Sequence, residues 1–339
     1  FVGKSQNDKS EWSISKDKCS LFAPSSVIED AKQLSQILSR KDMKKEYPKG
    51  KLLCDGRLSD IYQLKKRKNT FVVAKIALCD GTVTEDILFR EIYYLTKFKH
   101  PNIVPILESV RTCYTLRSNS SSEYVWLVTP MIQAANLSVL MGKKKWKVPE
   151  IATIIFQLHK AIHFLHKQKF CHRNICSENI LIDAKGHLTL LDFGMVTKFT
   201  NPPSLLGTIG DPHYAAPEMF RGLPHGAPVD IWGMGCIASE LANGRSPFLE
   251  ITQKKTKAID RLTMFRCGCG IVPNLGSRIA DLALSSFVHG CLKFEQQHRP
   301  TAKELLGHAL FKQAVVKLDL VKVVKQCTRR KRSSLLVHK

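Results

Sequence analysis

Hydrophobic and polar residues alternate along much of the chain between residues 51 and 131, as they do in β-strands. The segments KLLCDGRLSDIYQL, NTFVVAKIAL, NIVPILESV and YVWLVTPM either alternate or run apolar. Between the second and third of them, DILFREIYYLTKF spaces its apolar residues as a helix does. This part of the chain is therefore predicted to be a sheet with one helix.

Helical spacing dominates after Gln133. The segment EIATIIFQLHKAIHFLHKQ is strongly periodic, and further helices are predicted to begin near Asp230, Ser277 and Thr301. Two short strand-like segments, NILID and LTLLDF, follow the first helix, and residues 200–228 are rich in Gly and Pro. The whole pattern favours an α+β protein in which the sheet precedes a mainly helical part.

The two ends of the chain carry weaker patterns. Residues 1–24 are polar and without periodicity, so we expect them to be flexible, whereas residues 26–46 fit an amphipathic helix. After Phe311 the chain is basic and ends in TRRKRSSLLVHK. We expect this tail to be dispensable for folding and to contribute to location or to the binding of acidic partners.

The composition indicates the cellular compartment and the kinds of partner more than it indicates the fold. The 339 residues, 44% of them hydrophobic, suffice for one large two-lobed domain or two ordinary domains. The formal charge of +23 implies attraction to acidic partners, phosphates or anionic membranes, or simply a solvated basic surface. The 11 cysteines include no CxxC pair, which indicates reduced thiols in the cytoplasm or nucleus. No apolar run approaches the roughly 18 residues that a membrane span needs.

Several spaced motifs follow one another in an order that resembles the protein kinase superfamily. They are VVAK with Lys75, REIYYLTKFKHPNIV with Glu91, CHRNICSENI, LDFG, AAPE, DIWGMG and HRPTAKELLGH. The resemblance implies a two-lobed α+β fold. Its N-lobe, residues 47–132, would be an antiparallel sheet with one helix, and its C-lobe, residues 133–312, would be mainly helical. An extension, residues 1–46, would precede the lobes, and the basic tail, residues 313–339, would follow them.

The resemblance also implies a site for ATP and Mg²⁺. Lys75 would hold the α- and β-phosphates, and Glu91 would hold Lys75 in place. Asn179 and Asp192 would supply the hard oxygen ligands that magnesium prefers. The other nucleotide-binding candidates are Gly56 of the glycine loop, the apolar residues Ile61, Ala74 and Leu181 around adenine, the gatekeeper Thr129, and the hinge residues Pro130 and Ile132. Glu218 and Arg299 would form a buried structural pair.

Three neighbouring positions of the catalytic machinery depart from the family pattern. Asn174 follows His-Arg where the family has the catalytic aspartate, and an amide cannot accept the substrate's hydroxyl proton as a carboxylate can. Cys176 stands where serine/threonine kinases carry a lysine beside the transferred phosphoryl group. Asp211 stands where they carry a threonine that bonds to both. Since these residues work as a group, their joint change argues against phosphate transfer. Asp211 as a substitute base is a minor alternative.

The glycine loop departs as well. In LLCDGRLSDIY the family's three glycines align with Cys54, Gly56 and Ser59, so only the middle one remains. Backbone N–H groups that approach phosphates need the freedom of glycine. We therefore expect nucleotide affinity to be weakened but not abolished.

Shorter segments resemble one branch of the superfamily. HPNIVPILESV, ELANGRSPF and LLGHALFKQ are similar to the sterile-20-like group and its STRAD-type adaptor pseudokinases, which bind nucleotide and activate a partner kinase without transferring phosphate. The C-terminal Trp-Glu-Phe docking motif of that adaptor is absent from SSLLVHK, and the complete Asp-Phe-Gly also differs.

Three functions remain open on the sequence. The leading one is a nucleotide-binding pseudokinase, a scaffold or allosteric activator of a protein partner such as a kinase. The second is a weakly active serine/threonine kinase in which Asn174 only positions the hydroxyl. The third is a binder of nucleic acid or anionic membrane, supported by the basic runs 143–147 and 329–332, although nucleic acid is not favoured because such runs are usually solvated. A nuclear-localisation role for 329–332 is an alternative.

Overall fold

The computed structural model describes residues 37–47, 49–55, 59–66, 70–79, 83–115, 121–201, 203–205, 210–245, 267, 269–271, 280–315 and 318–330. The chain divides into two compact units. The first unit comprises the chain up to Thr96 together with Pro105–Met131. The second comprises Lys97–Val104 and the chain from Ile132 to Ser333. The division at 131/132 falls within the segment that the sequence predicts as a hinge.

The first unit is a six-stranded sheet with one long helix. Its strand order is β1-β5-β6-β4-β3-β2, and every pairing is antiparallel except that of β1 with β5. The strands are β1 (Ser39–Arg40), β2 (Lys49–Asp55), β3 (Asp60–Lys65), β4 (Phe71–Leu78), β5 (Glu108–Thr115) and β6 (Ser121–Pro130), and the helices are α1 (Met43–Glu46) and α2 (Val83–Lys97).

One face of this sheet carries an apolar cluster covered by the segment that precedes β2. Alternate residues of β3 and β4 are buried there, among them Tyr62, Leu64 and Ala74, and Met43 and Tyr47 are packed onto them at 0% and 1% exposure. The predicted helix over 26–46 is therefore interrupted, because residues 39–40 pair with β5 as a strand, and only residues 43–46 after them are helical, as α1. Its N-terminal part lies outside the described residues.

The second unit is mainly helical, with three small β-ladders. Its helices are α3 (Leu137–Met141), α4 (Val148–Lys167), α5 (Pro217–Phe220), α6 (Pro228–Asn243), α7 (Leu282–Cys291) and α8 (Val321–Arg330). Its strands are β7 (Ala134–Asn136), β8 (Phe170–Cys171), β9 (Ile180–Asp183), β10 (Leu188–Leu190) and β11 (Thr197–Lys198). β9 pairs with both β7 and β10, and β8 pairs with β11, all antiparallel.

The central helices of this unit are buried because they are apolar on most sides. α6 packs against α4 and α7, and its buried residues run almost without interruption from Val229 to Leu241. It ends at Gly244, whose φ of 71° is the left-handed conformation that closes a helix and that glycine adopts without strain. This rigid centre carries Asp230, which organises the site described below.

Two predicted helices of the second unit differ from the structure. The start near Ser277 lies outside the described residues, and the observed helix, α7, is capped by Asp281, whose side chain accepts from Leu284 N at 2.8 Å. The predicted helix from Thr301 is instead a pair of 3₁₀ turns, Glu304–Gly307 and Ala309–Gln313. Gly307 is a poor helix former, so an α-helix does not continue through it.

The basic tail differs most from its prediction. Leu318, Leu320, Val324 and Cys327 are at most 5% exposed, and the helix that follows Leu320, α8, lies against β7 and α3. Gly186, in the turn before β10, has a φ of +81° and leaves room for Leu318, whose Cβ would lie 2.4 Å from an added Cβ. The described part of the tail is therefore an element of the second unit.

No helix within the described ranges is long and apolar enough to cross a membrane.

Candidate functional site

Lys75 and Glu91 form the ion pair that the sequence predicts. The ammonium of Lys75, on β4, lies 2.8 Å from each carboxylate oxygen of Glu91, on α2. Glu91 is buried, whereas the side chain of Lys75 remains 23% exposed. The pair therefore fixes the direction of the lysine while leaving part of it accessible to an anionic ligand.

The strand register shows which apolar residues share the face of Lys75. Ile61 lies directly opposite Lys75 across β3 and β4, and Thr129 lies directly opposite Val73 across β6 and β4. Opposed residues project from the same face of a sheet, and residues two apart on one strand do so as well. Ile61, Val73 and Thr129 therefore line the same face as Lys75.

The assignment of Ala74 to the nucleotide side is wrong. Ala74 is fully buried in the apolar cluster under Met43 and Tyr47, on the face opposite to Lys75, because successive side chains of a strand alternate. Val73 takes its place. Counting two residues back from the lysine along the strand would have identified Val73 from the sequence.

Of the other nucleotide-binding candidates, three lie within the described residues and one lies outside them. Pro130 ends β6, and Ile132 follows with its carbonyl already accepting from Ala134 N at 2.9 Å, so the N–H of Ile132 is its remaining polar group. Leu181 lies half-buried on β9 opposite Asn136. Gly56 lies outside the described residues.

In the second unit, the side chain of Asn174 bridges two loops. Its Nδ2 donates to Asp192 Oδ2 at 2.9 Å, and its Oδ1 accepts from the backbone N–H of Asp211 at 3.3 Å. A Cβ on Gly210 would lie 2.8 Å from that same Oδ1, so only glycine fits beside Asn174. The amide donates one hydrogen bond and accepts another, whereas an ionised carboxylate can only accept.

Asn179 and Asp192 lie on either side of Asn174. Asn179 Nδ2 donates to the carbonyl of Asn174 at 3.0 Å, which leaves its amide oxygen as the group for a cation. Asp192 has a φ of 63°, in the left-handed region that aspartate tolerates better than most residues. A carboxylate and an amide oxygen fit Mg²⁺, which is usually bound through one or two protein ligands together with substrate phosphates.

The backbone of this loop is held by buried contacts to α6. The carboxylate of Asp230 accepts from the backbone N–H groups of His172 and Arg173 and from His166, each at 2.8 Å. Burial opposes ionisation of Asp230, but the hydrogen bond from His166 and the nearby histidines outweigh it and hold its pKa below the ordinary value. The ring of His172 also contacts Phe193 edge-on, with 5.0 Å between ring centroids.

Cys176 provides no charge at this site. The residue is 3% exposed, and burial, reinforced by Asp211 and Glu178, raises the pKa of its thiol well above the ordinary value. The thiol is therefore neutral. The carboxylate of Asp211 accepts from His213 N at 2.9 Å and so caps its own turn.

A buried polar network beside the site was missed by sequence reasoning. Tyr214 Oη lies 2.5 Å from Glu240 Oε2 and 2.8 Å from Ser177 Oγ, and Ser177 also donates to Glu240 at 3.3 Å. The network ties the loop after Asn174 to the segment after Asp211 and to α6. No local pattern indicates it, since the three residues come from three distant segments.

Glu218 and Arg299 form the predicted buried pair. The guanidinium donates to both carboxylate oxygens, at 2.6 and 2.7 Å, and lies over the ring of Trp232 at 4.9 Å. A two-pronged contact of this kind fixes orientation as well as charge. The pair anchors α5 and has no chemical role.

Residues 47–311 match the protein kinase domain family. This chain belongs to the protein kinase family. The match spans most of the described structure and includes both units, in agreement with the two-lobed α+β fold that the motifs imply.

Curated relatives within the family are serine/threonine kinases, PAK kinases among them. Serine/threonine-protein kinase shk2 of Schizosaccharomyces pombe is 30% identical over 241 residues, which is 71% of this chain and 38% of that protein. PAK mbt of Drosophila melanogaster is 30% identical over 231 residues (68% and 34%), and PAK 5 of Rattus norvegicus is 28% identical over 247 residues (71% and 32%). The matched part of the chain is thus about a third of the length of these kinases.

Proposed function

We propose that this protein is a pseudokinase, a member of the protein kinase family that binds nucleotide and acts on a protein partner through its conformation. The observation that carries the proposal is the bridge made by Asn174. At the position of the family's catalytic aspartate, both ends of an amide are used to hold Asp192 and Asp211 in place. An amide that hydrogen-bonds to two loops therefore replaces the carboxylate that would accept the substrate proton.

Its neighbours support the same conclusion. General-base catalysis typically contributes about 10²–10⁴-fold to a rate, and the neutral thiol of Cys176 supplies no charge to balance the moving phosphoryl group. The contacts that organise the fold are retained: Lys75 with Glu91, His172 with Phe193, and Asp230 with the loop backbone. The protein retains the contacts that fix its conformation and lacks the carboxylate that would accept the substrate proton.

Nucleotide binding rests on the groups that remain. Lys75 is accessible and correctly paired, and Asn179 and Asp192 offer oxygen ligands to a Mg²⁺ carried by ATP or ADP. Ile61 and Val73 add apolar surface on the face of Lys75, and Thr129 adds a methyl and a hydroxyl group beside them. When bound, the magnesium nucleotide would neutralise charge around Asp192. Affinity would be reduced because two glycines of the loop are replaced.

Phosphate transfer from radiolabelled ATP to a generic basic protein tests the proposal. The wild type should not exceed the Asp192→Ala blank. Asn174→Asp alone should recover little, and the triple variant Asn174→Asp, Cys176→Lys, Asp211→Thr should recover more, since losses among residues that act as a unit are not additive. Transfer by the wild type that disappears in Asp192→Ala would overturn the proposal.

Thermal-shift titration with Mg-ATP tests nucleotide binding separately, because a ligand that binds only the native state raises apparent stability. The wild type should melt at a higher temperature with nucleotide, and Lys75→Ala should respond less. The matched control is Lys198→Ala, which removes an exposed lysine of the second unit. A wild type that shows no response at millimolar nucleotide would contradict this part of the proposal.

A weakly active serine/threonine kinase is the second candidate. The intact Lys75–Glu91 pair and both magnesium ligands favour it, and Asn174 would then only orient the substrate hydroxyl.

We place the protein in the cytoplasm or nucleus, since Cys113 and Cys269 carry exposed free thiols.

A further inference from the structure

Two basic segments that are far apart in the sequence are brought to one side of the second unit. α8 contacts α3, and the lysine-rich loop 143–147 continues directly from α3, with Lys143 N donating to Leu140 O at 3.0 Å. Just before α8, Leu320 N donates to Ala184 O at 3.1 Å, which places the turn of Lys185 beside the start of the helix. The fold thus joins the loop, the helix and the turn.

Exposed lysines cover this side. We call them the basic surface, which consists of Lys143, Lys145, Lys147, Lys185 and Lys322, all exposed. The acidic residues of the same elements, Glu150, Asp183 and Asp319, are fewer than these five lysines, and Glu150 is paired with a further lysine, Lys144, at 2.5 Å. The basic surface therefore presents a local excess of positive charge.

Most apolar side chains of α8 and of the loop 143–147 are buried. Leu320, Val324 and Cys327 of the helix region are buried against the second unit, and Trp146 is 8% exposed with the ammonium of Lys144 lying 4.6 Å above its ring. On the described part of α8, Val321 is 37% exposed and the other apolar side chains are buried or half-buried, so there is no broad apolar face to insert into a bilayer. Trp146 likewise has no open ring face on which a nucleic-acid base would stack.

We propose that the basic surface binds the phosphate-bearing face of an anionic membrane by charge alone, without insertion. A lysine ammonium is a compact point charge that meets any phosphate, whereas base recognition in nucleic acids relies on arginine forks and aromatic platforms. The five lysines come from the loop 143–147, the turn at Lys185 and the first turn of α8, so they belong to three separate elements. Charges spread over several elements suit an array of headgroups better than a single bound phosphate. Each lysine near such a membrane strengthens binding about fivefold.

Co-sedimentation of the full chain with vesicles tests the proposal. Phosphatidylcholine vesicles containing phosphatidylserine and phosphatidylinositol bisphosphate should bind the protein, and pure phosphatidylcholine vesicles should not. Lys143→Glu, Lys145→Glu, Lys147→Glu should weaken binding by about 100-fold or more, since three attractive charges become repulsive. Raising the salt concentration should weaken the binding of the wild type, because screening shortens the range of the attraction.

The matched control changes the net charge equally elsewhere on the same unit. Lys293→Glu, Lys303→Glu, Lys312→Glu replaces three other exposed lysines and should bind nearly as well as the wild type. An equal loss in the control would show that only net charge matters and would overturn the proposal. If the first triple variant melts below the wild type, Lys185→Glu, Lys322→Glu replaces it, with an expected loss of about 25-fold.

Two further binding experiments distinguish a membrane from a soluble polyanion as the ligand. Soluble inositol hexakisphosphate should compete with the vesicles only weakly, and duplex DNA should bind less tightly than the vesicles do. Tight binding of either soluble polyanion, lost in the same variants and without vesicle binding, would overturn the membrane assignment.

Discussion

At the scale of single residues, the site depends on how one amide is oriented. Asn174 donates to Asp192 and accepts from the backbone of Asp211, and a side chain at position 210 would crowd its amide oxygen. Asn174 therefore forms a neutral link between two loops. An aspartate here would set a second carboxylate beside Asp192.

Asn174→Asp should lower the free energy of unfolding by about 1–3 kcal/mol in the presence of a chelator. It removes a hydrogen bond to a charged group and sets a second carboxylate beside Asp192. Millimolar Mg²⁺ should restore most of the loss, since a cation screens the pair. Urea denaturation with and without Mg²⁺ measures both effects. Asn174→Ala, which loses the bond but adds no charge, is the control; equal losses and equal responses to Mg²⁺ in the two variants would contradict the prediction.

His159 makes stability depend on pH. The imidazole is fully buried on α4, and burial lowers its pKa to about 4, against a smaller opposing effect of the hydrogen bond to Ala302 O. Its Nδ1 has no hydrogen-bond partner among the described residues. The unfolded chain therefore binds a proton at a higher pH than the native protein does, so stability should fall as the pH drops from about 6.5 to about 4.

The loss attributable to His159 should reach about 3 kcal/mol at the lower end of that range. His159→Gln keeps a donor for Ala302 O and removes the titration, so it should flatten this part of the curve of unfolding free energy against pH. His187→Gln, at an exposed position, is the control. A curve that is equally steep in wild type and His159→Gln would assign the effect to other groups.

At the scale of elements, two segments at or beyond the ends of the family match are packed as parts of the core. The segment 37–47 pairs with β5 through β1, and Lys41 and Tyr47 both contact the carboxylate of Glu108, the lysine at 2.9 Å. α8 covers β7 and α3 at the other end. Each contributes large apolar side chains, so each should be needed for stability.

Met43→Ala should lower the free energy of unfolding by about 2–4 kcal/mol, because the side chain is 0% exposed and its removal leaves a cavity under the sheet. Chemical denaturation gives the value directly. Lys45→Ala, an exposed neighbour on the same short helix, should change it by less than about 0.5 kcal/mol. A Met43→Ala variant as stable as Lys45→Ala would show that this segment does not pack in solution.

Leu320→Ala combined with Val324→Ala should lower the melting temperature by several degrees, since both side chains are at most 4% exposed. Lys322→Ala combined with Gln326→Ala changes the exposed side of the same helix and should have little effect. Deletion of all residues after Lys312 should act like the first pair. A deletion variant that melts with the wild type would restore the expectation that the tail is dispensable.

At the scale of the whole molecule, the two units carry different parts of the machinery. The first holds Lys75 in its ion pair, and the second holds Asn179, Asp192 and the bridge of Asn174. Both belong to a chain with 52 basic and 29 acidic residues. Self-repulsion of so large a positive charge destabilises the compact state.

Moderate salt should therefore stabilise the protein. Raising the ionic strength from about 0.01 M to about 0.15 M shortens the Debye length from about 30 Å to about 8 Å, which screens repulsion between distant lysines and arginines. Differential scanning calorimetry should show a higher melting temperature in NaCl and a similar one in KCl. A melting temperature that falls with salt would show that local ion pairs outweigh the general repulsion.

Local patterns were sufficient for the parts of the fold that depend on short-range order. Alternation predicted the strands β2, β3, β4 and β6, and helical spacing predicted α2 and α4, because burial of one face imposes a period on the sequence. The predicted strand NIVPILESV overlaps β5 only at residues 108–110. The resemblance to protein kinases implied the pairs Lys75–Glu91 and Glu218–Arg299, and the structure confirms both. The assignment of Ala74 failed at a single strand register, where a shift of one residue reverses the face.

The motifs of the sequence were enough to predict the two-lobed kinase fold, the two ion pairs and an asparagine, Asn174, where the family carries its catalytic aspartate. The hydrogen bonds of Asn174 could be seen only in the folded chain, because its partners Asp192 and Asp211 lie 18 and 37 residues away in the sequence. The same holds for the buried tail helix, whose pattern shows an apolar face but not the surface of β7 and α3 that receives it. Contacts between distant segments depend on the geometry of the whole chain, and no local pattern records them.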